Sequence, residues 1–156
     1  MRRSARLILA STVVLGTLVI AATCTRSQPE HPVALDPRTA VALPADGQQA
    51  VLHEMRTMLG AISGVLAATA REDTTALLAA LRPAGMAAAA DPALEEKLHA
   101  AWKQLAEKTH GAFDSLAVAV RRAPRGVARR DVVLTRLADI GATCNACHEQ
   151  FRVTVQ

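Results

Sequence analysis

Two of the chain's three cysteines stand three residues apart in the run Cys144-Asn145-Ala146-Cys147-His148, and the histidine follows the second directly. Cys-x-x-Cys-His is the attachment pattern of a c-type haem, in which each thiol forms a thioether and the imidazole binds iron. On a helix, positions i, i+3 and i+4 lie side by side. Cys144, Cys147 and His148 have this relation, so two thioethers fix one edge of a porphyrin while His148 meets the iron. The rest of the chain must then supply an apolar pocket beside a helix.

The material for a pocket is present. At 156 residues and 51% hydrophobic, the chain has enough apolar surface for the core of one domain. Aromatic residues make up only 2%, namely Trp102, Phe113 and Phe151. A core of Leu, Val and Ala lacks large flat groups, and a porphyrin would supply one, although Ala-rich bundles also pack without a cofactor.

The N-terminus accounts for much of the basicity. Arg2, Arg3 and Arg6 precede an unbroken apolar run from Leu7 to Ala22 that ends in small residues, which is the pattern of an export signal over residues 1–23. A lipoprotein signal ending at Cys24 and an uncut membrane anchor are the other readings. All three place the domain outside the cytoplasm, in the periplasm, either soluble or membrane-tethered. Removing Met1 to Ala22 takes away three arginines and no acid, so the formal charge falls from +4 to +1. Net charge then gives no reason to expect nucleic acid as a partner.

Residues 24–45 hold four prolines and no sustained period, and read as a linker. Helical periodicity follows. Asp46 is a good N-cap for a first helix to about Ala70, with the apolar stripe Val51, Leu52, Met55, Met58, Leu59, Ile62, Val65, Leu66. Glu72 and Asp73 mark a turn. A second helix covers Thr74 to Leu81, is interrupted at Pro83 and Gly85, and resumes through the alanines after Met86. Asp91 and Pro92 start a third helix with the stripe Leu94, Leu98, Trp102, Leu105, Ala112, Phe113, Leu116, Val120. Pro124 and Gly126 break the chain again. The last helix spans Val127 to about Val153, with Val133, Leu137, Ile140, Cys144, Cys147, His148 and Phe151 on one, core-facing side. No stretch has the alternation or turn pairs of a hairpin. The expected fold is all-α: an antiparallel four-helix bundle over residues 46–156, with the haem attached near the C-terminus of the last helix.

Other uses of the cysteines fit less well. A thioredoxin-like pair belongs at a strand-to-helix junction, and structural zinc needs a fourth ligand that no second Cys or His pair provides. The alternative is a haem-free exported helical protein in which Cys144 and Cys147 form a structural or redox disulfide.

With these residues in hand, the stretch "ADIGATCNACHEQFRV" resembles the haem-attachment region of the cytochrome c-prime family. A glycine precedes the Cys-x-x-Cys-His run, an aromatic and a basic residue follow it, and the helix order over about the last 110 residues is similar. The resemblance implies an exported four-helix bundle with one haem c and His148 as proximal ligand. Arg152, one turn further along, would lie by the outer side of that ligand. The opposite face of the iron would carry no protein ligand and be covered by an apolar residue of the first helix. It also implies binding of NO or CO, electron transfer with a redox partner protein, and a homodimer formed through the first two helices. Members of that family often carry an Arg four residues before the covering residue; here Arg56 would point to Gly60, which is off the apolar stripe. Met55 and Met58 lie on the stripe, and either covers the iron or binds it through its thioether.

The remaining candidates are weaker. His53 falls on the outer face of its helix, His99 at a helix edge, and His110 near Phe113, where a haem edge or propionate would be within reach; an ordinary surface or half-buried histidine is the expectation for each. Arg121, Arg122, Arg125, Arg129 and Arg130 would pair with haem propionates, present a docking patch to an acidic partner, or form a solvated loop. No phosphate loop and no catalytic constellation is present in the sequence, so an enzyme is not expected.

Overall fold

The computed structural model describes residues 35–88 and 96–156, and the fold lies in the unit Pro37–Gln156. The expected export signal, half of the expected linker and the Asp91–Pro92 helix start lie outside the described residues. Among those described, the chain is mostly helical, with four α-helices.

Helix α1, Ala45–Ala70, begins after Pro44, whose carbonyl accepts the amide of Gln48 at 2.9 Å. The start is two residues earlier than an Asp46 cap would place it. Asp46 instead sits in the first turn, where a carboxylate suits the positive end of the helix dipole. Val51, Ala61, Val65 and Ala68 are buried. Leu59 and Leu66 are 64% and 45% exposed, so the inward stripe is narrower than the apolar pattern predicts. These two residues are seven apart and share an outward line, away from the helices that cover the other side.

A turn at Arg71 and Glu72, the latter with φ 54, leads into helix α2, Thr74–Leu81. Asp73 caps it by accepting the Ala76 amide at 2.9 Å. Packing of α2 on α1 is close: a Cβ on Gly64 would come within 2.9 Å of the Ala80 Cβ. Two short 3-10 turns, Arg82–Ala84 and Met86–Ala88, follow where Pro83 forbids a continuing α-helix.

Helix α3, Ala100–Arg122, starts later than Asp91. Residues 96–98 form turns and His99 occupies the cap position, so Leu98 lies before the helix rather than on its stripe. Helix α4, Val127–Gln150, packs against α3. Arg129 ties the intervening turn to α2: its Nε and Nη2 donate to the Ala123 carbonyl at 3.2 and 2.7 Å, and its Nη1 donates to Thr74 Oγ1.

The C-terminus corrects the helical expectation. Helix α4 ends at Gln150, Phe151 turns extended, and strand β2, Phe151–Val155, pairs in parallel with strand β1, Thr39–Leu43. Thr39 faces Phe151 and Leu43 faces Val155. The last residues of the expected linker are thus a strand. Both strands have a signal, since TAVAL and FRVTV alternate and are rich in β-branched residues. Each is only five residues long, and neither has a partner nearby in sequence to form a hairpin.

Two apolar clusters result. The larger holds Ala61, Val65, Leu77, Leu81, Phe113, Leu116, Val133 and Ile140. The smaller holds Val41, Leu43, Val51, Trp102 and Phe151, so the strands close one end of the helical core. Leu43 is fully buried and Val155, opposite it, is 54% exposed. Leu43→Ala is expected to lower the unfolding free energy by about 2–5 kcal/mol and Val155→Ala by under about 0.5 kcal/mol, measured by urea titration. Equal losses would contradict the one-sided burial of the strand pair.

Candidate functional site

The last two turns of α4 carry both thiols. Cys144 and Cys147 are half-buried free cysteines. Cys144 packs against the larger cluster, as does Met58 of α1. Cys147 packs against the smaller one, as do Met55, Leu98, Leu105 and Ala106. Trp102 meets Phe151 edge-on there, with ring centroids 5.5 Å apart. One thiol therefore enters each cluster, and each cluster also receives one of the two methionines singled out on the first helix.

His148 does not share that burial. Its side chain is exposed, which corrects the expectation that it faces the core with the thiols. A helix turns about 100° per residue. Cys144 and Cys147 straddle the inward direction, and the next residue falls past its edge. The His148 carbonyl accepts from Arg38 Nη1 at 3.2 Å, which anchors the segment just before β1 to the end of α4. Arg152 lies on β2 rather than on a further helical turn, paired in register with Ala40. It therefore does not stand one helical turn beyond His148.

Burial pushes the Cys144 thiol up from its ordinary value. Burial does the same to Cys147, with a smaller contribution from neighbouring Cys144. A nucleophilic redox cysteine has the opposite environment, with its thiolate stabilised by a helix N-terminus or a cation. These two sit near a helix C-terminus, whose dipole disfavours a thiolate.

The donor set fits a covalent haem. It offers two half-buried thiols one turn apart on an apolar stripe, and an exposed imidazole directly after the second. Cys144 and Cys147 would hold the porphyrin edge and His148 the iron. Among the described residues no group of three or more His, Cys, Asp and Glu side chains is placed to hold a bare metal ion. A groove of about 640 Å³ runs between α3 and α4 on another face of α4; Glu107, Lys108, Asp139 and Ala146 line it, and Cys144, Cys147 and His148 do not.

The other histidines differ from one another. His53 is exposed, as expected, and His99 occupies the N-cap position of α3 without a side-chain capping bond and stacks on Phe151 at 6.4 Å. His110 is only 1% exposed, which corrects the expectation of a surface or half-buried residue. Its Nδ1 lies 2.8 Å from the Ala84 carbonyl and its Nε2 lies 2.9 Å from Glu54 Oε1. The hydrogen bond to Glu54 is the main cause that raises the His110 pKa above 6.5, and burial opposes it. Glu54 has no signal in the sequence, because its partner is on another helix and the 3-10 turn completes the site.

The arginine cluster lies at the far end of α4. Eighteen residues separate Arg129 from Cys147, or about 27 Å of helix. That distance rules out pairing of Arg129 with the propionates of a haem held by Cys144 and Cys147. Arg129 is instead the clamp between the α3–α4 turn and α2.

No family model, no curated protein and no solved structure matches this chain. Among the described residues no helix is long and apolar enough to cross a membrane.

The His110–Glu54 contact has a defined pH dependence. A raised folded pKa gives stability that is complete below the unfolded value of about 6.5 and is lost as pH rises through the folded value. The stability gap between the wild type and Glu54→Gln is expected to shrink between about pH 6 and pH 9 in urea titrations. A gap that widens over this range would contradict the assigned charge state.

Proposed function

We propose that the chain is an exported c-type cytochrome, an antiparallel four-helix bundle with one haem attached through Cys144 and Cys147 and with His148 on the iron. The observation that carries this reading is the pair of free, half-buried thiols one helical turn apart, each set against an apolar cluster, with His148 next in sequence. Bound haem supplies one-electron redox chemistry and an iron site for a small gas such as NO or CO.

The chain's own residues do the rest. Cys144 and Cys147 make loss of the group impossible without breaking a covalent bond. Met58 and Met55, half-buried against the two clusters, would pack against the bound group as flexible apolar cover. Trp102 and Phe151 close the end of the pocket beside Cys147. The work is electron transfer, gas binding or both. A redox partner protein takes part in the first, and export to the periplasm follows from the N-terminal run. The raised pKa of both thiols sets them apart from a nucleophilic redox pair, whose thiolate is stabilised.

The deciding experiment is the visible spectrum of the dithionite-reduced protein, matured in an oxidising compartment with haem-attachment machinery, before and after CO. A broad high-spin ferrous spectrum that shifts promptly with CO is expected. A sharp, split band unmoved by CO would overturn the role of Met55 and Met58 as cover, and a colourless protein would overturn the cytochrome reading. Haem should remain on the denatured wild-type chain and be absent from the Cys144→Ser, Cys147→Ser double variant. His148→Ala should keep covalent haem but change the spectrum; an unchanged spectrum would remove His148 from the iron.

A further inference from the structure

The side chain that the cytochrome reading leaves unused is His110, the most enclosed ionisable group among the described residues. Its hydrogen bonds define its charge. The Ala84 carbonyl is an acceptor only, so Nδ1 carries a hydrogen and donates to it. Nε2 faces a second acceptor, Glu54 Oε1, at 2.9 Å. A neutral imidazole would point a lone pair at that carboxylate. A second proton must therefore lie between Nε2 and Glu54, and the site either holds it as an ion pair or releases it.

On α1, Glu54 falls between Val51 and Met55, both of the smaller cluster, and one turn before Met58, which packs against the larger. On α3, His110 falls between Ala106 of the smaller cluster and Phe113 of the larger. On α4 the same boundary runs between Cys147 and Cys144. His110 thus falls at the boundary of the two clusters, and Glu54 stands beside Met55, which the proposed haem would pack against. The His110 side chain is 2% exposed and that of Glu54 is 31%, so the carboxylate connects the ring to solvent. The groups acting on the ring are Glu54 from α1, Asp114 from its own helix and the Ala84 carbonyl from the 3-10 turn. Asp114 is itself held by the Met86 amide at 3.0 Å.

We propose that His110 and Glu54 form a proton site coupled to the redox state of the haem. This rests on the cytochrome reading. An electron arriving from a one-electron donor lowers the charge of the group by one, and His110 Nε2 takes up a proton from solvent by way of Glu54. Oxidation returns the electron to an acceptor and the proton to solvent. The physical cause is Coulombic: inside a protein a change of one charge is weakly screened and changes how firmly a nearby imidazolium holds its proton. Each electron moves at most one proton through this site.

The test is the midpoint potential of the full-chain haem protein from about pH 5 to 9, together with an NMR titration of the His110 ring in each redox state. In the wild type the potential should fall as pH rises through the range where His110 titrates, and the ring pKa should be higher in the reduced protein. His110→Gln should lose that slope. Glu54→Gln should move the slope to lower pH, and it decides the matter alone if His110→Gln does not fold. A slope unchanged in both variants, or one ring pKa in both redox states, would overturn the coupling while the cytochrome reading stands. A protein without covalent haem would instead show the failure of the cytochrome reading, and the coupling would fall with it.

Discussion

The helix that carries Cys144, Cys147 and His148 is held at both ends by segments distant in sequence, and the geometry of the candidate site depends on those two attachments. At its start, the Arg129 guanidinium spans the α3–α4 turn and the first residue of α2. At its end, β2 pairs with β1, and Arg38 donates to the His148 carbonyl across 110 residues of sequence. A helix fixed only at its middle could rotate its apolar stripe. Fixed at both ends, it presents one thiol to each cluster and leaves the imidazole at the solvent edge.

Between these ends the core is built from small and medium side chains, and polar contacts do part of the positioning. Phe113 is the one aromatic of the larger cluster, and Trp102 with Phe151 form an edge-on pair in the smaller. Packing of Ala, Val and Leu is tolerant of small rotations. The His110 ring, bonded to α1 on one side and to the 3-10 turn on the other, is directional where the apolar contacts are not. A buried polar group that is fully satisfied stabilises one arrangement against its neighbours, because every alternative leaves it unsatisfied.

Charge is arranged along α4 rather than spread over it. The arginines gather at its start, and the thiols and imidazole lie at its end, so the basic cluster cannot serve the thiol end directly. Its measurable role is structural, through Arg129. The local environment of the cysteines is apolar and lies near the negative end of the helix dipole, which keeps both as thiols rather than thiolates.

Much of this was legible in the residues. The periods of α1 and α4, the Asp73 cap, the start of α4 after Gly126 and the placement of Cys144 and Cys147 on an inward stripe all come from interactions within a few residues, which a linear pattern records. The Cys-x-x-Cys-His spacing defines attachment chemistry for the same reason, since i, i+3 and i+4 are neighbours on any helix. Tertiary structure decided the rest: the end of α4 at Gln150, the strand pair, the outward turn of Leu59, Leu66 and His148, and the burial of His110 against Glu54. Each of these is a contact, or the lack of a covering neighbour, between residues far apart in the chain. Local periodicity states which side of a helix is apolar; only the packed fold states which part of that side another element reaches.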